Sequence, residues 1–125
     1  MKIAMASDHA GFSLKEEIKA YLQSQGHEVL DFGAHSEDAC DLPDSVYPAS
    51  LAVGEGKADR GIFVDGVGYG SAMIANKIYD VYAAVCQDPF CANLARLHSD
   101  TNVLCNGGKI VGSAIAMEIV KLSLA

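Results

Sequence analysis

The segment from Arg60 to Lys77 constrains the fold of this chain more than any other part of it. Its short apolar run, residues 61 to 64, is typical of a buried strand of a parallel sheet, and one carboxylate, Asp65, follows directly. Glycines come next at alternate positions: Gly66, Gly68 and Gly70. Such glycines let the backbone turn tightly and let a ligand approach its N–H groups, and a helix that begins just beyond them favours anions. The segment therefore predicts a strand–loop–helix unit that brings a base and an anion-binding loop together.

The rest of the chain repeats this alternation of short apolar runs and amphipathic segments. Strands are predicted over residues 2–7, 27–32, 61–65, 81–86 and 102–105. Helices are predicted from a capping box at Ser13 to Gly26, from about Pro48 to residues 54–56, over residues 70–78, from Asp88-Pro89 to about residue 98, and from about Lys109 onward, with a loop over residues 33–44. Strands that alternate with helices predict a five-stranded parallel sheet in a three-layer α/β/α, Rossmann-like fold, formed by residues 1–125 as a single domain.

Ligands of such sheets bind beyond the carboxyl ends of the strands, at the point where the strand order reverses. With a strand order of 2-1-3-4-5, this point lies between the first and the third strand. Asp8 and His9 follow the first strand, and the segment from Asp65 to Gly70 follows the third. We therefore expect both polar clusters to flank one crevice.

The composition argues against several classes of partner. The net charge is −7 over 125 residues, which disfavours binding to nucleic acid or to an anionic membrane surface. No run of about 18 apolar residues predicts a membrane span, and no signal peptide is visible. The cysteines form no CxxC pair and no zinc spacing, so we expect reduced thiols in a cytoplasmic protein without a metal or a cofactor: Cys40, Cys86, Cys91 and Cys105.

Asp65 is the main candidate for chemistry. A carboxylate at a strand end that faces a glycine loop could abstract a proton next to a carbonyl, as a general base does. The N–H groups of residues 66–70 could then stabilise the developing enolate charge. The alternatives are an Asp that caps the loop's own N–H groups and a plain strand-to-helix turn. The loop matches neither the GxxxxGK[ST] nor the GxGxxG nucleotide-binding motif.

Other polar residues have both a functional and a structural interpretation. His9, beside Asp8, and His98 could move protons near neutral pH, although a histidine in a loop is more often structural. Lys109 could bind an anion at the start of the last helix, or it could be solvated. We expect three further lysines at the surface: Lys15, Lys19 and Lys77.

Four stretches of the chain resemble the family of ribose-5-phosphate isomerase B and galactose-6-phosphate isomerase. They are Ser7 to Phe12, the third strand with Asp65 and its glycine loop, Ala75 to Lys77, and His98 to Leu104. The resemblance implies aldose–ketose isomerisation of a sugar phosphate through an enediol, without a metal. It also implies a homodimer or a dimer of dimers, whose active sites combine residues of both subunits.

The resemblance also implies the roles of single residues. Asp65 is expected to move the proton between C1 and C2, His98 and Asp8 to help to open the sugar ring, and His9 to lie near the phosphate. The backbone of the glycine loop is expected to hold the enediolate oxygen. The substrate-binding residues expected beside His9 are Gly66, Val67, Gly68, Tyr69, Gly70, Ser99, Asp100 and Lys109.

Several positions depart from the family's pattern. Many ribose-phosphate enzymes carry Cys and Thr where this chain has Asp65 and Val67, and Asp at this position resembles the A subunit of galactose-6-phosphate isomerase. Ser99 stands in place of Asn, Leu42 in place of a common Tyr, and Lys109 in place of Arg. The C-terminal arginines of the family have no counterpart up to residue 125, so we expect the phosphate to be held differently or the activity to be changed.

These features favour a sugar-phosphate isomerase, with a pentose phosphate such as ribose 5-phosphate or ribulose 5-phosphate as the favoured substrate. One alternative is a subunit of a hetero-oligomeric galactose-6-phosphate-type isomerase, or a non-catalytic sugar-phosphate-binding homologue. Another is a flavin- or phosphate-binding module, which the fold alone permits. Contacts between subunits are expected around Leu94 and at three positions of the last helix: Ile115, Ile119 and Leu122.

Overall fold

Five strands and five α-helices alternate along residues 1–125, all of which the computed structural model describes. The strands are β1 (Lys2–Ser7), β2 (Glu28–Asp31), β3 (Arg60–Asp65), β4 (Ala83–Val85) and β5 (Val103–Gly107). The helices are α1 (Phe12–Ser24), α2 (Pro43–Gly54), α3 (Tyr69–Ala75), α4 (Pro89–Leu94) and α5 (Ser113–Leu124), and a π-helical turn over Ala95–Ser99 continues α4. None of the helices is both long and apolar enough to cross a membrane.

The strands form one parallel sheet in the order β2-β1-β3-β5-β4, with helices on both faces, which confirms the three-layer, Rossmann-like fold. The expected order 2-1-3-4-5 is wrong at one edge, because β5 lies between β3 and β4. Burial explains the exchange: every residue of β5 is buried, whereas the three residues of β4 are only half-buried, as suits an edge strand. The reversal of strand order between β1 and β3 is as expected.

Two apolar layers hold the sheet between the helices. Ile62 and Val64 of β3 pack toward α1 and α5, and Phe63 packs toward α2 and α3. Side chains alternate between the faces of a strand. Asp65 therefore continues the side of Phe63 and points its carboxylate toward α3.

The first helix begins earlier than the capping box predicts. α1 starts at Phe12, Gly11 is its N-cap, and Ser13 lies inside the first turn without a capping bond. Oδ1 of Asp8 instead accepts the N–H of Gly11 at 3.0 Å. A Cβ at Gly11 would collide with the carbonyl oxygen of Val64, so glycine is what lets this turn pass close to β3.

Two other helix starts also differ from the prediction. α2 begins at Pro43, because a proline in the first turn sacrifices no hydrogen bond. Pro48 lies inside the helix. α5 begins at Ser113 rather than near Lys109. Val111, which is 7% exposed, is turned into the core by the preceding glycine-rich turn. Lys109 therefore lies in a loop, and the argument from a helix dipole does not apply to it.

Lys15 is fully buried, so its expected surface position is wrong. Its Nζ donates to Oδ1 and Oδ2 of Asp31 at 2.8 and 2.9 Å and to the carbonyl of Ala34 at 2.8 Å. Lys19, which is 29% exposed, adds a contact of 3.0 Å to Asp31. Burial opposes ionisation of Asp31, but the hydrogen bonds from Lys15, Gly33 and Lys19 prevail, so the pKa of Asp31 lies below its ordinary range. The cluster anchors the segment after β2 beside the end of β1.

The expected contact face on α5 is smaller than its sequence suggests. Ile119 is completely buried in the core, and Leu122 is half-buried. Ile115 is 48% exposed and lies on the outer side of α5. Leu94, on α4, is half-buried as well. Of these four side chains, Ile119 is unavailable for a contact with another molecule, and Ile115 is the most exposed.

Candidate active site

Asp8 and Asp65 leave the sheet side by side. Ser7 pairs with Val64 in the register of β1 and β3, so the next residues of the two strands start about 5 Å apart. Asp8 is half-buried and closes the turn before α1, whereas His9 is exposed. The structure therefore brings the two predicted polar clusters to one crevice.

His9 has one ring nitrogen occupied. The N–H of Cys40, in the loop between β2 and α2, donates to Nδ1 of His9 at 3.3 Å. In a neutral imidazole with Nδ1 as acceptor, Nε2 carries the proton. A cleft of about 120 Å³ adjoins this contact, between the loop and the start of α2, and Asp41 and Asp44 are among its lining residues. Nε2 of the exposed His9 has no partner within the chain and is free to donate to a ligand.

The carboxylate of Asp65 is held at one oxygen and open at the other. Asp65 is 6% exposed, and its Oδ1 accepts a 2.6 Å hydrogen bond from the hydroxyl of Ser71 in α3. Oδ2 has no hydrogen-bond partner within the chain and is not among the enclosed atoms that lack one. A Cβ at Gly70 would lie 3.4 Å from Oδ2 and 2.9 Å from Cδ2 of Leu42, so glycine keeps this oxygen accessible.

The glycine loop offers free donors beside that oxygen. No backbone N–H from residue 66 to residue 70 donates to an acceptor within the chain. Asp65 therefore does not cap the loop, which was the structural alternative to a catalytic role. Gly68 has φ of +90°, a left-handed conformation that suits glycine. Free N–H groups beside a carboxylate can bind an oxyanion.

The carbonyl groups of the same loop are occupied. The carbonyl of Gly66 accepts the N–H of Lys109 at 3.1 Å, and that of Val67 accepts Nε2 of Gln87 at 2.6 Å. Oε1 of Gln87 in turn accepts the N–H of Gly107 at 3.1 Å. Gln87 thus joins the loop to the end of β5. Because the acceptors are tied down, the loop presents donors and not acceptors to a ligand.

Lys109 supplies a positive charge at the rim of the crevice. Its Cδ lies 3.9 Å from the position that a Cβ at Gly66 would take, so its side chain runs along the glycine loop. The ammonium group forms no salt bridge. An uncompensated cation is notable in a chain of net charge −7, and it favours an anionic ligand here.

His98, Ser99 and Asp100 lie near the amino ends of the strands, opposite to the carboxyl ends where Asp65 lies. They precede β5, whose first residue, Val103, pairs with Gly61 at the start of β3, whereas Asp65 pairs with Gly107. The four residue steps of β3 between these pairs correspond to about 13 Å. Within one chain, these three residues are therefore not brought to the crevice that holds Asp65.

The turn that carries His98 is well braced, although its tip is exposed. Nη1 of Arg96 contacts Oδ1 of Asp100 at 3.0 Å and also donates to the carbonyl of Thr101. Asp100 has φ of 47°, and its side chain is 90% exposed. Short π-helical turns occur often at functional sites. The turn therefore projects His98 from a rigid base.

Sequence reasoning missed two residues of the site. Neither Ser71 nor Gln87 is among the residues predicted from the sequence. A signal for Ser71 was available, because a hydroxyl in the first turn of α3 lies close to the strand end that precedes the loop. Gln87 had no such signal, since its contact depends on the pairing of β4 with β5.

All four thiols are free, and the pKa is raised at three of them. Burial raises the pKa of Cys86 to about 11 and that of Cys105 to about 12. A hydrogen bond to Asp88 raises the pKa of the exposed Cys91. No group of three or more His, Cys, Asp or Glu side chains is arranged to hold a metal ion. The buried thiol of Cys105 stays protonated at neutral pH, so Asp65 is the side chain at the end of β3 that can act as a base.

Known proteins with similar sequences and structures identify the family of this chain. A profile of the family described as Ribose/Galactose Isomerase matches residues 3–125. Ribose-5-phosphate isomerase B of Escherichia coli is 44% identical over 95% of this chain and 80% of that protein. D-erythrulose-4-phosphate isomerase of Pectobacterium atrosepticum is 34% identical over 96% of this chain and 80% of that protein.

The structure of ribose-5-phosphate isomerase B from Clostridium thermocellum superposes with a TM-score of 0.97 at 42% identity, over 99% of this chain and 84% of that one. Together, the profile match and these identities extend over nearly the whole chain. The chain therefore belongs to the ribose/galactose isomerase family and is a sugar-phosphate isomerase.

Proposed function

We propose that this enzyme interconverts an aldose phosphate and a ketose phosphate through an enediolate, without a metal, and that ribose 5-phosphate and ribulose 5-phosphate are its favoured pair. The observation that carries the proposal is the open oxygen of Asp65 beside the free N–H groups of residues 66–70. The identity of 44% to the E. coli ribose-5-phosphate isomerase B supports the five-carbon substrate.

Proton transfer is assigned to Asp65. In the open-chain aldose, Oδ2 takes the proton from C2, and the electrons of the C–H bond form the C1=C2 double bond. The N–H groups of the glycine loop bind the oxygen at C1, on which negative charge develops. The proton of the C2 hydroxyl then passes to the oxygen at C1. Asp65 returns its proton to C1, which yields the ketose.

Ring opening requires groups from a second chain. Asp8 lies in the crevice, but His98 lies near the amino ends of the strands, exposed on the turn that Arg96 braces. A homodimer in which His98, Ser99 and Asp100 of one copy enter the crevice of the other would complete the site. In that site, His98 and Asp8 move protons between the ring oxygen and the oxygen at C1.

The phosphate is assigned to the rim near His9 and Lys109. Nε2 of His9 donates when Nδ1 accepts from Cys40, and Lys109 brings an unpaired positive charge. Both groups can bind an anion.

A second candidate is a subunit of a hetero-oligomeric galactose-6-phosphate-type isomerase. It is favoured by Val67, an apolar side chain that is 41% exposed in the glycine loop, where a binding partner or a substrate could cover it. In this case, the groups near His98 would meet a different chain.

One assay distinguishes the candidates. The purified protein is tested in a coupled assay against aldose phosphates of four, five and six carbons, and its mass under native conditions is measured in parallel. We expect a homo-oligomer with the highest kcat/KM for ribose 5-phosphate. A protein that is inactive alone on all three substrates would favour the second candidate, and a higher kcat/KM for the four- or six-carbon sugar would correct the substrate.

A further inference from the structure

Ser71 is a buried hydroxyl whose single proton is directed at Asp65. It lies in the first turn of α3 and is 0% exposed. Its Oγ is 2.6 Å from Oδ1 of Asp65 and 3.3 Å from the carbonyl of Gly68. A hydroxyl can donate only one full hydrogen bond, and the shorter contact to a charged acceptor is the stronger one.

This hydrogen bond distinguishes the two oxygens of the carboxylate. Oδ1 is engaged, so rotation of the carboxylate about its bond to Cβ would break the contact to Ser71. Oδ2 is left without a partner on the side where Gly70 lacks a side chain. Ser71 thus determines which oxygen faces the crevice and in which plane its lone pairs lie.

We infer that Ser71 is a positioning residue for proton transfer, which acts through Asp65 and makes no contact with the substrate. The inference rests on the proposed function, because it takes Asp65 as the base. It goes further by naming the group that orients the base. Catalysis by such a base depends on the alignment of its lone pair with the C–H bond.

The surroundings of Ser71 agree with this role. Cys105 lies on the same face of the sheet, close to both Ser71 and Asp65, and is completely buried. Burial raises the pKa of its thiol to about 12, so it stays protonated at neutral pH. A neutral thiol leaves the proton of Ser71 to Asp65, and no second anion competes for it.

The test compares Ser71→Ala and Ser71→Thr with Ser50→Ala as the matched control. Ser50 is also 0% exposed and donates to the carbonyl of Val46 at 2.7 Å, within α2 and without contact to Asp65. For each variant, kcat, KM, the rate of deuterium incorporation from D₂O into the substrate, and the midpoint of thermal unfolding are measured.

We expect Ser71→Ala to lower kcat and deuterium incorporation by about tenfold to a hundredfold, the size of one hydrogen bond to a charged group, with KM within about twofold. Ser71→Thr keeps the hydroxyl and should recover most of the rate. Ser50→Ala should lower the unfolding midpoint and leave kcat unchanged. If Ser71→Ala does not fold, Ser71→Cys replaces it, because a thiol is a weak donor of similar size and should show the same loss.

A double variant separates this inference from the proposed function. In an Asp65→Asn background, Ser71→Ala should cause no further loss, since it acts only through the carboxylate. An unchanged kcat in Ser71→Ala, or an equal loss in both backgrounds, would overturn the role of Ser71 while Asp65 stays the base. Full activity of Asp65→Asn alone would instead refute the proposed base, and with it the inference.

Discussion

Nζ of Lys15 lies 2.8 Å from Oδ1 of Asp31, and no part of the Lys15 side chain reaches solvent. The same ammonium group donates to the carbonyl of Ala34. Two backbone hydrogen bonds join this segment to the end of β1: the N–H of Ala34 donates to the carbonyl of Ser7, and the N–H of Ser7 donates to the carbonyl of Gly33. This ion pair therefore supports the backbone just before Asp8.

The first prediction concerns this ion pair. Lys15→Met should lower the free energy of unfolding by about 3 kcal/mol, because the largely buried Asp31 then keeps only the partly exposed Lys19 as a charged partner. Urea denaturation measures the change. The control is Lys77→Met, at an exposed position, which should change the free energy by less than about 0.5 kcal/mol. Equal stability of the two variants would show that Lys15 contributes nothing.

The second prediction concerns the pH dependence of stability. The pKa of Asp31 is lowered in the folded protein, so its contribution is fully present above the ordinary aspartate value of about 3.9 and is lost as the pH falls through the lowered pKa. Asp31→Asn should be less stable than the parent at pH 7, and the difference should shrink below about pH 4. Asp38→Asn, in an exposed loop, is the control. A difference that is constant from pH 7 to pH 3 would contradict the assignment.

The third prediction concerns the base. Asp65→Asn should lower kcat by about 10²–10⁴-fold, the usual contribution of general base catalysis. The fold should persist, because the amide oxygen still accepts from Ser71. The control is Asp59→Asn, just before the amino end of β3. Its carboxylate accepts only the N–H of Lys2, so the substitution should leave kcat unchanged. Circular dichroism checks that both variants are folded.

The fourth prediction concerns the shared site. Asp65→Asn and His98→Ala proteins should each be weakly active alone. When their subunits are mixed and exchanged, half of the dimers combine both chains, and each of these has one site with intact Asp65 and His98. The mixture should therefore recover roughly a quarter of the parent activity. Activity that merely averages the two variants would exclude a site built from two copies.

A companion measurement separates ring opening from proton transfer. His98→Ala should slow a cyclic five-carbon substrate far more than a four-carbon aldose phosphate, which cannot close the corresponding ring. Asp65→Asn should slow both substrates alike.

The fifth prediction concerns thiol reagents. With Asp65 as the base, alkylation of the exposed Cys40 and Cys91 should leave kcat within about twofold, because neither thiol takes part in proton transfer. A hydrogen bond to Asp88 raises the pKa of Cys91, so its alkylation should be slow at pH 7 and faster at higher pH. Mass spectrometry follows modification at each residue. A stoichiometric loss of kcat with alkylation of Cys91 would contradict the assignment of Asp65, whereas a rise in KM with alkylation of Cys40 would reflect its contact with His9.

The parts of the site that could be predicted from the sequence are those encoded locally. The strand that ends at Asp65, the glycine loop and the helix that follows depend on residues close together in the chain. The crevice also requires only that β1 and β3 be neighbours. The N–H groups of residues 66–70 have no acceptor within the chain, and their role in binding an oxyanion stays a prediction.

The parts that could not be predicted depend on contacts between distant residues. Lys15 looks like a surface lysine because its partner, Asp31, lies on another element. The position of β5 between β3 and β4 is determined by which strand is better buried on both faces, and the local pattern of the two strands does not reveal it. The same exchange decides where Gln87 meets the glycine loop.

Asp65 and His98 lie about the length of β3 apart within one chain, so a site shared between two chains would make activity depend on protein concentration. If each working crevice requires two chains, activity per chain must fall once the protein is diluted below the dissociation constant of the pair. Substrate that bridges the two chains would oppose this loss, because a ligand that binds only the assembled state stabilises it. The turnover measured in a dilute assay is then lower than the turnover at a higher protein concentration.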